Sequence, residues 1–217
     1  MPAAPSLELY AYWRTSAAFR VRVALNLKGI APEPIAIHLT KDGGKQHSPE
    51  YRAVNPQRRV PSLVLDDGTV LTQSPAIIEY LDEIHPKPAF LPADPVERAK
   101  VRAFAALIGC DIHPLNNLAP LQYLKRMLKQ EQPAIDEWYR HWVTEGFTAL
   151  ETMIRPGPYC FGDNVTLADI YLVPQMYNAR RLKTPLEAFP KLVAADAALA
   201  KLPAFDKARP ENQPDSE

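Results

Sequence analysis

The turn Arg14-Thr15-Ser16 sets a guanidinium and two adjacent hydroxyls directly ahead of an apolar-rich run: Phe19, Val21, Val23, Ala24, Leu25 and Leu27. Hydroxyls at the start of a helix sit beside its unpaired N–H groups, and Thr and Ser are both favoured there as caps. Such a point holds an anion by about 0.3–1 kcal/mol when exposed, and by more when partly buried. It also favours a thiolate over a thiol. The turn contains no cysteine, so a thiolate here would arrive on a ligand. The same residues equally suit an ordinary capped helix. A further hydroxyl, Ser74, precedes Pro75 and the apolar positions Ile77, Ile78 and Leu81, which predicts Ser74 as N-cap and Pro75 as the first helical residue. Pro61 admits a cis bond that would turn the Val60 backbone towards the same cleft, although trans is the commoner state. Two helix N-termini facing one cleft suit a ligand with a thiolate at one end and a carboxylate at the other.

The elements that must position these groups follow from apolar spacing. Residues 7–11 alternate as a short strand, and the helix after them stops at Gly29, a C-cap residue. Residues 33–39 predict a second strand, kept near an edge by Pro32 and Pro34. A polar turn at 40–44 and a short helix opening at Ser48-Pro49 come next. Residues 62–65 and 70–71 are strands joined by Asp66-Asp67-Gly68, a hairpin signal, and a helix runs from Ser74 through Ile84. The order is βαβ followed by ββα. Prolines 86, 88, 92 and 95 then make a stiff linker, and beyond it no convincing strand occurs. Helices are expected at 96–112, 115–129, 133–154, 170–178 and 191–201, with Thr166 to Asp169 as a capping-box variant. Trp138, Trp142, Phe147 and Leu150 are expected in the core. The tail is expected to fray.

Bulk composition narrows the function classes. The 217 residues are 47% hydrophobic and 23% charged with zero formal net charge, so nothing draws the chain towards nucleic acid or an anionic membrane. No apolar run approaches a membrane span, and the first residues lack the basic and apolar regions of a secretory signal. Cys110 and Cys160 lie far apart, in neither a disulfide framework nor a metal-like spacing; a cytoplasmic location fits, and no metal site is expected.

Val60-Pro61 together with the run from Gln73 to Leu81 resembles the glutathione-binding half of a cytosolic glutathione transferase. The run from Thr15 to Leu25 is similar to the zeta-class signature Ser-Ser-Cys-x-Trp-Arg-Val-Arg-Ile-Ala-Leu. Residues 41–46, 109–117 and 178–181 extend the likeness over nearly the whole chain, pointing to the maleylacetoacetate or maleylpyruvate isomerase family. The resemblance implies an α/β plus all-α protein: a thioredoxin-like domain at 1–86, a linker at 87–95, an all-helical substrate domain at 96–209 and a polar tail at 210–217. It implies a homodimer and glutathione as cofactor. Ser16 and Thr15 would hold the sulfur as thiolate. Gln46 and the Val60 backbone would bind the middle and glycyl end, and Gln73 with Ser74 the γ-glutamyl carboxylate. His113 and Asn117 would reach glutathione from the second domain, and Arg181, helped by Arg14, would meet an acidic substrate.

The activity implied is cis–trans isomerisation of a maleyl keto acid in aromatic catabolism. A thiolate adding to a cis double bond conjugated with a carbonyl frees that bond to rotate, and its expulsion leaves the trans isomer. Such a site needs a stabilised thiolate, donors for charge developing on oxygen, and cations for carboxylates. Alternatives are a transferase that conjugates or dehalogenates small electrophiles, and a non-enzymatic glutathione-binding protein. Two departures stand out: Ala17 replaces the signature cysteine, and the arginine that often follows the Asn-Asn pair is missing from Leu118-Ala119-Pro120.

Overall fold

The computed structural model describes residues 7–217; the first six residues of the expected 1–86 domain, with the reading that they are no secretory signal, lie outside the described residues. The chain parts into two compact units, one made of the residues up to Pro88 together with Pro203–Glu217, the other of Ala89–Leu202.

In the first unit β1 (Glu8–Ala11) leads into α1 (Ser16–Lys28), followed by β2 (Glu33–Ala36), α2 (Pro49–Val54), β3 (Ser62–Val64), β4 (Val70–Thr72) and α3 (Ser74–Ile84). The sheet order is β2-β1-β3-β4, with β2 parallel to β1 and the other pairings antiparallel. The prolines of β2 do lie on an edge strand, where a missing N–H costs least. Gly29 ends α1 in the left-handed region at φ 70°, and the Ile30 N–H closes back on Leu25. α1 packs against α3, and Ala18, Phe19, Val21, Val23 and Leu25 are buried with Leu9, Leu63, Ile77 and Ile78. The Lys28 ammonium lies 2.7 Å from the Asp82 carboxylate, tying the end of α1 to α3.

The second unit is helical: α4 (Pro95–Ala106), α5 (Leu118–Arg126), α6 (Gln132–Met153), α7 (Leu167–Arg181) and α8 (Pro190–Leu199). The expected helix over 96–112 changes pitch at its end: Leu107–Ile112 winds as a π-turn, and the His113 N–H reaches back to Ile108. This turn lies against α6 at Gly146, where any Cβ would collide with the Ile112 side chain. α5 begins at Leu118 behind the Asn117 cap rather than at 115, so Pro120 falls in its first turn, where a missing N–H breaks nothing. Of the aromatic positions expected in this core, Phe147 is fully buried, as are Leu150, Phe104, Ile108 and Met176, whereas Trp138 and Trp142 are half-buried.

The segment after the second unit corrects the expectation of a 96–209 domain followed by a frayed tail. Its short helix α9 (Pro203–Ala208) packs on α1, and Pro210–Asn212 forms a tight turn. Three hydrogen bonds from two side chains hold this segment to itself: Asn212 Nδ2 donates to the Asp206 carbonyl, and Gln213 Nε2 donates to the Lys207 and Arg209 carbonyls.

α7 is apolar on nearly every side, so its N-terminus is buried and needs internal partners. Asp169, fully buried, supplies them, accepting from the Cys160 N–H at 2.8 Å and from the Thr166 N–H and hydroxyl at 2.7 and 2.9 Å. Burial raises the Asp169 pKa, and these donors oppose the rise. Replacing Asp169 by Ala strands three donors, so about 3 kcal/mol of stability is lost. Thermal unfolding should show Asp169→Ala melting roughly 10 °C below the parent.

Candidate functional site

Strand direction gathers the first-unit candidates at one edge of the sheet. β1 and β2 run in parallel, β3 opposes them, and β4 again runs with β1. One edge therefore carries the C-terminal ends of β1, β2 and β4 with the N-terminal end of β3. Thr15 and Ser16 follow β1, Gln46 follows β2, Val60 precedes β3, and Gln73 and Ser74 follow β4. Ser62 pairs with Tyr10 on β1 and with Thr72 on β4, so Val60 and Ser74 each lie two residues beyond the end of this ladder.

The two hydroxyls of the first turn have different surroundings. Thr15, the N-cap of α1, donates its hydroxyl to the Tyr12 carbonyl at 3.0 Å and makes no side-chain cap bond. Ser16 is the first helical residue and is buried, yet among the described residues no partner takes its hydroxyl. The donor left open beside the helix N-terminus is thus Ser16. Arg14 lies over the Trp13 ring, its guanidinium carbon 5.2 Å from the centroid.

On the β2 side, buried Gln46 donates Nε2 to the Leu39 carbonyl at 3.0 Å, while its Oε1 is buried without a partner among the described residues. Gly44, at φ 95°, makes this packing possible, because a Cβ there would come within 2.6 Å of the Leu39 carbonyl oxygen. The Val60–Pro61 bond is cis, and among the described residues neither polar group of the Val60 peptide unit finds a partner.

At the start of α3 the capping moves by one residue. Gln73 is the N-cap, held at φ 70°, and buried Ser74 is the first helical residue rather than the cap. The reason is at β4, where the chain turns sharply through Gln73; its side chain donates to Gln57 Oε1 at 2.8 Å and ties that turn down. Pro75 has no N–H, so Ser74 and Ala76 supply the free donors of this first turn.

The second unit carries the remaining candidates. Asn117 caps α5, its Oδ1 accepting from the Leu118 N–H at 2.7 Å. His113 follows the π-turn and is half-buried. Arg181 ends α7 and is exposed, whereas Arg180 beside it is bound to Asp196 on α8 at 2.5 Å. Burial pushes the Tyr139 phenol up to about 12, and the Arg181 guanidinium pulls the other way. Asn116 Nδ2 holds the Tyr139 carbonyl at 3.2 Å. Among the described residues no group of His, Cys, Asp or Glu could hold a metal ion, and no helix is long and apolar enough to cross a membrane.

The family model for the N-terminal domain of glutathione S-transferase matches residues 16–84, and that for the C-terminal domain matches residues 132–195. Over 210 residues the chain is 47% identical to the maleylacetoacetate isomerase of Pseudomonas aeruginosa, spanning 97% of this chain and 99% of that protein. The holo structure of a maleylpyruvate isomerase, a bacterial glutathione S-transferase of the zeta class, is similar with a TM-score of 0.93 at 46% identity, over 97% of this chain and 100% of that one. A maleylacetoacetate isomerase from Anaeromyxobacter dehalogenans, solved with glutathione in its active site, is similar with a TM-score of 0.87 at 42% identity, over 99% of each chain.

Sequence reasoning missed the groups that hold the loop before β3. Buried Asn55 donates to the Arg59 carbonyl at 2.9 Å and to the Ser62 hydroxyl at 3.1 Å, and accepts from the Gln57 N–H at 3.0 Å. The Tyr51 phenol reaches the same Arg59 carbonyl and Ser62 hydroxyl. The one sequence signal is Asn55-Pro56, a pair that marks the end of the short helix opened at Ser48-Pro49 and says nothing of the Asn55 side chain's partners. Asn55→Ala leaves these partners unmet inside the protein and should cost about 2–3 kcal/mol. Calorimetry should show the lower melting temperature, and amide exchange should show faster opening of residues 57–60 before the rest of the sheet.

Proposed function

The chain belongs to the zeta class of the glutathione S-transferase family, and from that premise we propose that it catalyses glutathione-dependent cis–trans isomerisation of a maleyl keto acid, maleylacetoacetate or maleylpyruvate. The observation that carries the reading is the open Ser16 hydroxyl at the N-terminus of α1, on the sheet edge that also bears Gln46, Val60 and Ser74. Unpartnered polar atoms at Gln46 Oε1 and the Val60 peptide unit fit a ligand with peptide groups of its own. Glutathione, when bound, supplies the thiolate whose reversible addition lets the substrate's double bond rotate.

The chain's own residues set the terms of that chemistry. Ser16 donates to the sulfur, and the α1 N-terminus adds its dipole, so the thiolate is favoured over the thiol. Thr15, its proton committed to Tyr12, shapes the turn instead of serving as the main sulfur donor. Gln46 and the Val60 peptide unit hold the tripeptide backbone. Gln73, Ser74 and the free N–H groups of the first turn of α3 take a carboxylate. Arg181 and Arg14 supply cations for the substrate's carboxylates, and arginine suits them through paired hydrogen bonds. His113 and Asn117 keep the glutathione-directed roles that the family resemblance gives them. Ala17 leaves no protein thiol beside the sulfur; isomerisation needs none, since the nucleophile belongs to the cofactor. We read the protein as a cytoplasmic homodimer, supported by the family resemblance and by the free thiols of Cys110 and Cys160.

Assays on both maleyl keto acids with catalytic glutathione should give many turnovers per glutathione. Consumption of one glutathione per product would show a conjugating or dehalogenating transferase instead. Ser16→Ala should lower kcat about 100-fold, and should move the rising limb of the pH–rate profile to higher pH, because the thiolate loses its donor. Thr15→Ala should cost stability and change kcat far less; equal small losses in both variants would count against activation by Ser16.

A further inference from the structure

The segment 203–217 reaches the turn that presents Ser16. Asp215 Oδ2 accepts from the Trp13 backbone N–H at 3.1 Å, and the Trp13 carbonyl accepts from Arg22 Nη2 at 2.8 Å. Arg22 is itself held by the same segment, its Nε donating to the Ala208 carbonyl at 3.0 Å. Both backbone polar groups of Trp13 are therefore taken, one directly by the segment and one through Arg22. A second contact lies on the neighbouring loop. His38 Nδ1 accepts from the Thr40 and Lys41 N–H groups, which leaves the ring proton on Nε2, 3.2 Å from Glu217 Oε1. Thr40 and Lys41 begin the loop that leads to Gln46.

We propose that Asp215 is a positioning residue for the reaction: by holding the Trp13 N–H it fixes the angle at which the turn offers the Ser16 hydroxyl. The segment acts as a strap across the ends of β1 and β2, with Asp215 as its functional tie and α9 as its anchor on α1. Asp215 touches neither cofactor nor substrate. Its effect on rate rests on the glutathione reading above, whereas its hold on the turn does not.

The test compares Asp215→Ala, Asp215→Asn and Asn26→Ala in the full chain. Asn26 Nδ2 donates to the Ala204 carbonyl at 2.9 Å, so Asn26→Ala removes a strap contact at α9 and leaves the tie to the turn in place. Glutathione binding to the parent protein is measured first, by ultraviolet absorbance of the thiolate. Asp215→Ala should lower kcat about tenfold, shift the thiolate titration to higher pH and leave the KM for glutathione within about threefold. Amide exchange at Trp13 should speed up in the same variant. Asp215→Asn keeps an acceptor oxygen and should recover most of kcat, and Asn26→Ala should match the parent. Unchanged kcat and Trp13 exchange in Asp215→Ala would overturn the proposal, as would an equal fall in all three variants, which would make the strap mere packing. A parent protein that binds no glutathione would overturn the proposed function and with it the catalytic role; one that binds it, beside an indifferent Asp215→Ala, would overturn only this inference.

Discussion

Arg22 is a guanidinium withdrawn from water inside an apolar helix, and much of the first unit answers that constraint. Burial lowers its pKa to about 10, with the Asp215 carboxylate pulling the other way. An unpaired charge so placed would cost several kcal/mol. The carbonyls of Trp13 and Ala208 meet two of its donors, and those two carbonyls belong to segments far apart in the chain. One buried charge thereby joins the turn after β1 to the strap from the far end of the sequence. Replacing it with an apolar residue of like size would leave two carbonyls without donors and the turn free to swing.

What the sequence made legible was local. The Asp-Gly turn, the prolines of β2, Gly29 at the end of α1 and the capping of α7 by Asp169 each depend on a few adjacent residues, and each stands as read. The grouping of Ser16, Gln46, Val60 and Ser74 came from the family resemblance; strand direction puts these residues beyond strand ends on one side of the sheet. Features decided by distant or backbone-level contacts were not legible. The cap of α3 moved from Ser74 to Gln73 because a non-glycine residue holds a positive φ there. The helix before His113 changed pitch, and α5 started three residues late. The last eight residues of the strap, 210–217, read as a frayed tail and 203–209 as part of the helical domain, since nothing in so polar a run announces that its partners are Trp13 and His38.

The structure separates two hydroxyls that are equivalent on paper. Thr15 and Ser16 are neighbours with similar chemistry, and a motif cannot rank them. Their backbone positions do: the cap residue turns its hydroxyl back to the Tyr12 carbonyl, and the first helical residue keeps its own open. Arg180 and Arg181 part in the same way. Arg180 is committed to Asp196, whereas Arg181 is exposed and acts on the buried Tyr139 phenol through its charge. In both pairs the partner within the fold goes to one neighbour, Thr15 or Arg180, and the other residue stands apart from that bond.

The first unit is discontinuous, and that bears on how the chain folds. Trp13 and Asp215 are separated by 202 positions, and the whole of Ala89–Leu202 lies between the two parts of the unit. While that stretch is a free chain, docking the strap means closing it as a loop, at an entropic cost of roughly 4 kcal/mol. Once the stretch has folded it no longer behaves as a free chain, and the strap docks against far less opposition. Completion of the hydroxyl turn is therefore coupled to folding of the other unit through chain connectivity alone. A lesion deep in α6 or α7 would be felt at Ser16 as a late or loosened turn.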